Sequence, residues 1–82
     1  METCIEQKGE YLLIRRLGEN YRKEWYVKGS SYKISTKNGE VKLNDINILD
    51  LPEGSFLEIK DNGLVPIKDK KTIEDMAMEL MN

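Results

Sequence analysis

The chain has 82 residues, one cysteine, no histidine and a formal net charge of −2. This is one domain with a small core, and it excludes an internal disulfide, a structural zinc centre and every catalytic arrangement that needs an imidazole. A hydrophobic content of 39% with mixed charge describes a globular chain rather than a disordered one.

The start, METCIEQKGEYLL, has no basic segment followed by a long apolar run, so it does not read as a signal peptide. Residues 1–10 are expected to be a flexible N-terminal segment. The single thiol, Cys4, suits a reducing compartment, and a cytoplasmic location is expected. Glu2 and Glu6 beside it favour the neutral thiol, the wrong direction for a nucleophile.

The longest apolar run, Tyr11–Ile14, falls far short of the roughly 18 residues that a membrane-spanning helix needs. As a strand it offers apolar side chains to both faces, so it should be central, or covered by a second sheet, the C-terminal helix or a partner. A turn follows in RLGENYR. Next, Gly29-Ser30 reads as a two-residue loop that would set Val27 opposite Tyr32 and Trp25 opposite Ile34. Trp25 then belongs to the core, with an exposed Trp at a partner interface as the alternative. Asn38-Gly39, between alternating segments, is a strong hairpin signal. It pairs Ile34 with Leu43 and Thr36 with Val41, leaving Lys33, Ser35 and Lys37 on the other face.

Apolar parity shifts in NDINILDLPEGS, which marks a bend or bulge. In SFLEIKDNGLVPIK, a three-residue loop Asp61-Asn62-Gly63 would match Ile59 with Val65 and Leu57 with Ile67. Pro66 then marks an edge or a bulge. In the tail, Ile73, Met76, Ala77, Leu80 and Met81 fall on one helical stripe, predicting a helix over 72–81 with Thr72 as its N-cap.

The expected fold is mainly β (α+β). It is a small twisted antiparallel meander or SH3-like barrel of about six strands over residues 11–68, closed by one C-terminal helix, in a single domain.

Charge is divided along the chain. Residues 11–44 carry eight basic groups against three acidic, and residues 45–82 carry four against nine. No glycine cluster matches a phosphate-binding loop, so a non-catalytic interaction protein is expected, with no cofactor, no metal and no membrane contact. Its partner would be a protein, or a second copy, anchored on Leu12, Ile14, Met78 and Met81. Chains of this size are often regulators or inhibitors, phage and mobile-element proteins included. The alternative is a nucleic-acid-binding barrel using Arg22, Tyr26, Lys28, Lys33, Lys37 and Lys42, an aromatic among cations. A preponderance of ten Lys over three Arg weighs against it. A small-molecule-sequestering oligomer is a third reading.

Overall fold

The computed structural model describes residues 2–81. The chain runs β1 (Glu2–Lys8), β2 (Tyr11–Gly18), β3 (Tyr21–Lys28), β4 (Ile34–Ser35), β5 (Lys42–Leu43), β6 (Ile46–Asn47), β7 (Phe56–Lys60), β8 (Gly63–Pro66) and α1 (Lys70–Leu80). The fold is mostly β with one C-terminal helix, as the sequence predicts. The strands form two sheets, however, rather than one meander. A five-stranded mixed sheet has the order β1-β2-β3-β7-β8, and a three-stranded sheet has the order β4-β5-β6.

The N-terminal segment corrects the first expectation. It is a strand, paired with β2 over its whole length from Glu2↔Leu17 to Lys8↔Tyr11. Its alternation is real but mostly polar on both faces, so an apolar-periodicity reading passes over it. Gly9, at φ +58, supplies the turn.

β2 lies between β1 and β3, and both of its faces are covered. Leu12 and Ile14 point into one core with Trp25, Val27, Val41, Leu43, Ile48 and Leu57. Leu13 points into the other, with Tyr26, Met76 and Leu80. The small sheet and its loops cover the first face and α1 covers the second, so the doubly apolar strand is satisfied within one chain.

The Gly29-Ser30 hairpin does not form. β3 pairs with β2, placing Trp25 opposite Ile14, and its other edge takes β7 in parallel, with Val27 opposite Leu57. Parallel strands need a long crossover. Residues 29–55 are that crossover, and they contain the whole small sheet.

Within it, the predicted register holds for Ile34↔Leu43 and Ser35↔Lys42. The strands stop there. Lys37–Gly39 form a 3-10 turn with Asn38 at φ +55, and Thr36 and Val41 do not join the ladder. Val41 turns into the core instead. The parity shift after Leu43 is a tight hairpin, Leu43↔Ile46, whose central residues Asn44 and Asp45 both have positive φ. That is the signature of a type I′ turn.

The β7–β8 turn has the same form. Asp61 and Asn62 take φ +52 and +63, and the register is Ile59↔Leu64 and Leu57↔Pro66. The expected three-residue loop is therefore one residue too long, because Asn and Asp tolerate the left-handed region without glycine. Pro66 does lie on an edge strand.

α1 begins two residues earlier than predicted, and its N-cap is Asp69. The Asp69 carboxylate accepts from the Thr72 hydroxyl at 2.7 Å and the Thr72 amide at 3.0 Å. Those bonds, with Lys28 nearby, hold the Asp69 carboxyl below the ordinary aspartate range. A depressed folded-state pKa stabilises the fold above the unfolded-state value, and the contribution is lost as pH falls through the folded one. Asp69→Ala is therefore expected to lower the melting temperature at neutral pH, with the gap to wild type closing under acid. Paired thermal melts across the carboxylate range measure this; a gap that does not change with pH would count against the cap.

Candidate interaction surface

The expected basic face is not one surface. Arg22, Tyr26 and Lys28 lie on the α1 side of the large sheet, on the face that carries Leu13. Lys33, Lys37 and Lys42 belong to the small sheet and its turn, packed on the opposite face. Tyr26 is 7% exposed, and its ring stacks on Phe56 with centroids 4.6 Å apart. It presents no open ring to a base. Burial, with Glu24 second, pushes its hydroxyl pKa up. Glu24 also draws in two arginines, Arg22 at 2.9 Å and Arg15 at 3.5 Å.

Of the four apolar anchors, two are core. Leu12 and Ile14 are 0% exposed, so no partner can reach them without unfolding the sheet. The other two lie on the surface. Met78, on α1, is 68% exposed, and Met81, the residue that caps its C-terminus, is 52% exposed.

Beside Met78, two hollows adjoin. Tyr11, Asp75, Met78 and Glu79 line one of ≈ 270 Å³. Lys8, Gly9, Glu10, Tyr11 and Glu79 line one of ≈ 460 Å³. They share Tyr11 and Glu79, so the pair forms a groove from the β1–β2 turn along α1. The Lys8 ammonium donates to the Glu79 carbonyl at 3.4 Å, tying the turn to the helix. The rim carries Glu10, Asp75 and Glu79 against Lys8, and Asp75 is bridged to Lys71 at 2.7 Å.

A third hollow, of ≈ 440 Å³, is polar and lies on the small-sheet side, between Ser31, Tyr32, Lys33, Asn44, Asp45 and Asn62. Its wall is built by Asn44, whose side-chain oxygen accepts from the Lys33 amide at 2.9 Å. Next to it, the Tyr32 hydroxyl donates to the Gln7 side-chain oxygen at 2.7 Å. The Gln7 amide nitrogen donates to the carbonyls of Gly9, Tyr11 and Gly29. Gln7 thus clasps β1 to the start of the crossover.

The Cys4 thiol donates to the Glu2 carboxylate at 3.4 Å, and this bond is the first cause that raises its pKa. Among the described residues, no three His, Cys, Asp or Glu side chains gather as a metal site, and no helix is long and apolar enough to cross a membrane.

The sequence reading found Met78 and Met81 but missed Tyr11, Glu79 and Gln7 as surface formers. Met78 was legible because it falls off the helix stripe. The groove was not, because its other wall is the unrecognised β1–β2 turn. Compared with protein-family models, with curated proteins and with solved structures, the chain matches none.

Proposed function

We propose that this chain is a non-catalytic protein-binding module of regulator or inhibitor type, working in a reducing compartment such as the cytoplasm. The supporting observation is that Met78 on α1 and Met81 at its C-cap stay exposed at the helix end, Met78 beside an acid-rimmed groove. Methionine is a flexible, polarizable contact suited to an irregular apolar partner. Glu10, Asp75 and Glu79 at the rim favour cations on that partner. The fitting ligand is a protein segment that combines Lys or Arg with Leu, Ile, Met or Phe. Acidic residues predominate around the groove beside Met78. A nucleic-acid partner loses its main support with Tyr26 buried and the cations divided between two faces.

Selection of a random peptide library on the immobilised chain tests this. The expected winners are cationic and apolar, and Met78→Asp weakens them at least tenfold, about 1.4 kcal/mol. Met78→Asp should leave the melting temperature nearly unchanged, since surface substitutions of this kind stay within about 0.5 kcal/mol. Winners without cations, or winners indifferent to Met78→Asp and Glu79→Lys, would sink the proposal.

A further inference from the structure

The two edges of the large sheet differ. β8 is four residues long and ends in Pro66, which blunts it against pairing. β1 is seven residues long and in unbroken register with β2. It has no proline and no bulge, and among the described residues no strand covers its outer side.

One hydrogen bond shows which way its backbone points. The Gly29 amide donates to the Glu10 carbonyl at 2.7 Å, in phase with the Leu12↔Val27 and Ile14↔Trp25 pairs. Glu10, Leu12 and Ile14 therefore bond toward β3, and Tyr11, Leu13, Arg15 and Leu17 bond toward β1. Their partners Lys8, Glu6, Cys4 and Glu2 face inward. The backbone N–H and C=O groups of Thr3, Ile5 and Gln7 are left pointing out of the sheet.

We infer that β1 pairs antiparallel with β1 of a second copy of this chain, about a two-fold axis at Ile5. In that register Ile5 meets Ile5 of the second copy, and Thr3 meets Gln7. Two backbone bonds form at each of the three facing pairs, which uses every outward group of the edge. Charge selects the register. Glu2 falls opposite Lys8 of the second copy on both sides of the axis, giving two ion pairs. Moving the axis to Cys4 would set Glu2 against Glu6, and moving it to Glu6 would set Glu6 against itself. Like charges directly opposite are destabilising. Ile5, exposed at 38%, lies at the centre, where its apolar side chain meets its own copy. A two-fold axis makes the contact isologous and closed, so it ends at a dimer. Gln7, clasped to Tyr32 and to three carbonyls of its own chain, holds the end of the strand in place. The inference goes beyond the partner-binding reading and shares only Lys8 with the groove beside α1.

Sedimentation equilibrium across the micromolar to millimolar range, with amide exchange read residue by residue, tests it. Wild type should reach twice 9.5 kDa, with the amides of Thr3, Ile5 and Gln7 gaining protection as concentration rises. Glu2→Lys should weaken association at least tenfold with an unchanged circular dichroism spectrum, and adding Lys8→Glu to it should restore the dimer. Ile5→Pro, which removes only an outward amide, should be monomeric. Met78→Asp should dimerise as wild type does, which separates this surface from the partner groove. A wild type monomeric at every concentration would overturn the inference. So would a dimer whose Thr3, Ile5 and Gln7 amides exchange freely, or one that Glu2→Lys leaves intact.

Discussion

Trp25→Ala is expected to leave the protein largely unfolded at room temperature or to lower its melting point by more than about 12 °C. Trp25 is the largest fully buried side chain, at 1% exposure. It sits at the centre of the core between the large sheet and the crossover, opposite Ile14. Its indole N–H donates to the Leu51 carbonyl at 3.1 Å, so one residue both fills the core and fastens the end of the crossover. Truncating a buried Trp costs about 3–5 kcal/mol. A chain of this length has a total stability of about 4–12 kcal/mol, and each lost kcal/mol lowers the melting point by about 4–8 °C. The substitution therefore removes much or all of the margin. Trp25→Phe separates the two roles. It keeps most of the volume but leaves the Leu51 carbonyl without its donor, a loss of about 1–3 kcal/mol. Thermal and urea melts of both variants measure this. A Trp25→Ala protein that melts with wild type would show that the crossover is not packed through this residue.

Gly29→Ala is the second large effect, with an expected loss of about 2–4 kcal/mol. Gly29 is where the chain leaves β3 for the crossover, and it takes φ +148. A β-carbon there would lie 2.6 Å from Cδ1 of Ile59 and 3.1 Å from its Cβ and Cγ1. The tip of Ile59 can turn away, but its Cβ is fixed by β7. Gly29 cannot move aside either. Its amide bonds the Glu10 carbonyl at 2.7 Å, and its carbonyl accepts from Gln7 at 3.2 Å. Gly39→Ala is the control. Gly39 also has positive φ, +74, but nothing within 4 Å of its added carbon, so only backbone strain of about 1–2 kcal/mol applies. Ile59→Val, which deletes Cδ1, should recover part of the Gly29→Ala loss in a double-mutant cycle. Equal losses for Gly29→Ala and Gly39→Ala in urea titrations would rule out the Ile59 contact as the cause.

Both variants probe the crossover, which the sequence does not announce. The local features are legible. The helix stripe, the turn in RLGENYR and the Ile34–Leu43 pair follow from periodicity and turn residues, while Trp25 is core through its ladder with Ile14 rather than through the expected pairing with Ile34. The doubly apolar run Tyr11–Ile14 asks for cover on both faces, and the fold supplies it. The exposed pair at the end of α1 is legible in part: Met78 breaks the stripe, whereas Met81 continues it and yet is exposed.

The misreadings share a cause. Asn44-Asp45 and Asp61-Asn62 make tight turns without glycine, so a search centred on Asn-Gly overlooks the first and stretches the second by one residue. β1 is too polar to signal itself, and it is a strand because β2 offers it an edge. The surface role of Leu12 and Ile14 fails because the small sheet lands on them.

By itself, the sequence determined the helical period of the tail, the reversals in RLGENYR and after Lys60, one helix and the mainly β composition of the fold. These depend on neighbours within a few residues. Tertiary structure alone decided that β3 takes Phe56–Lys60 as a parallel partner, that Tyr26 lies under α1 beside Phe56, and that the basic residues divide between two faces. Each of those joins segments far apart in the chain. A strand edge accepts any segment of suitable pattern, so the choice follows from which packing buries Val27, Leu57 and Trp25 together.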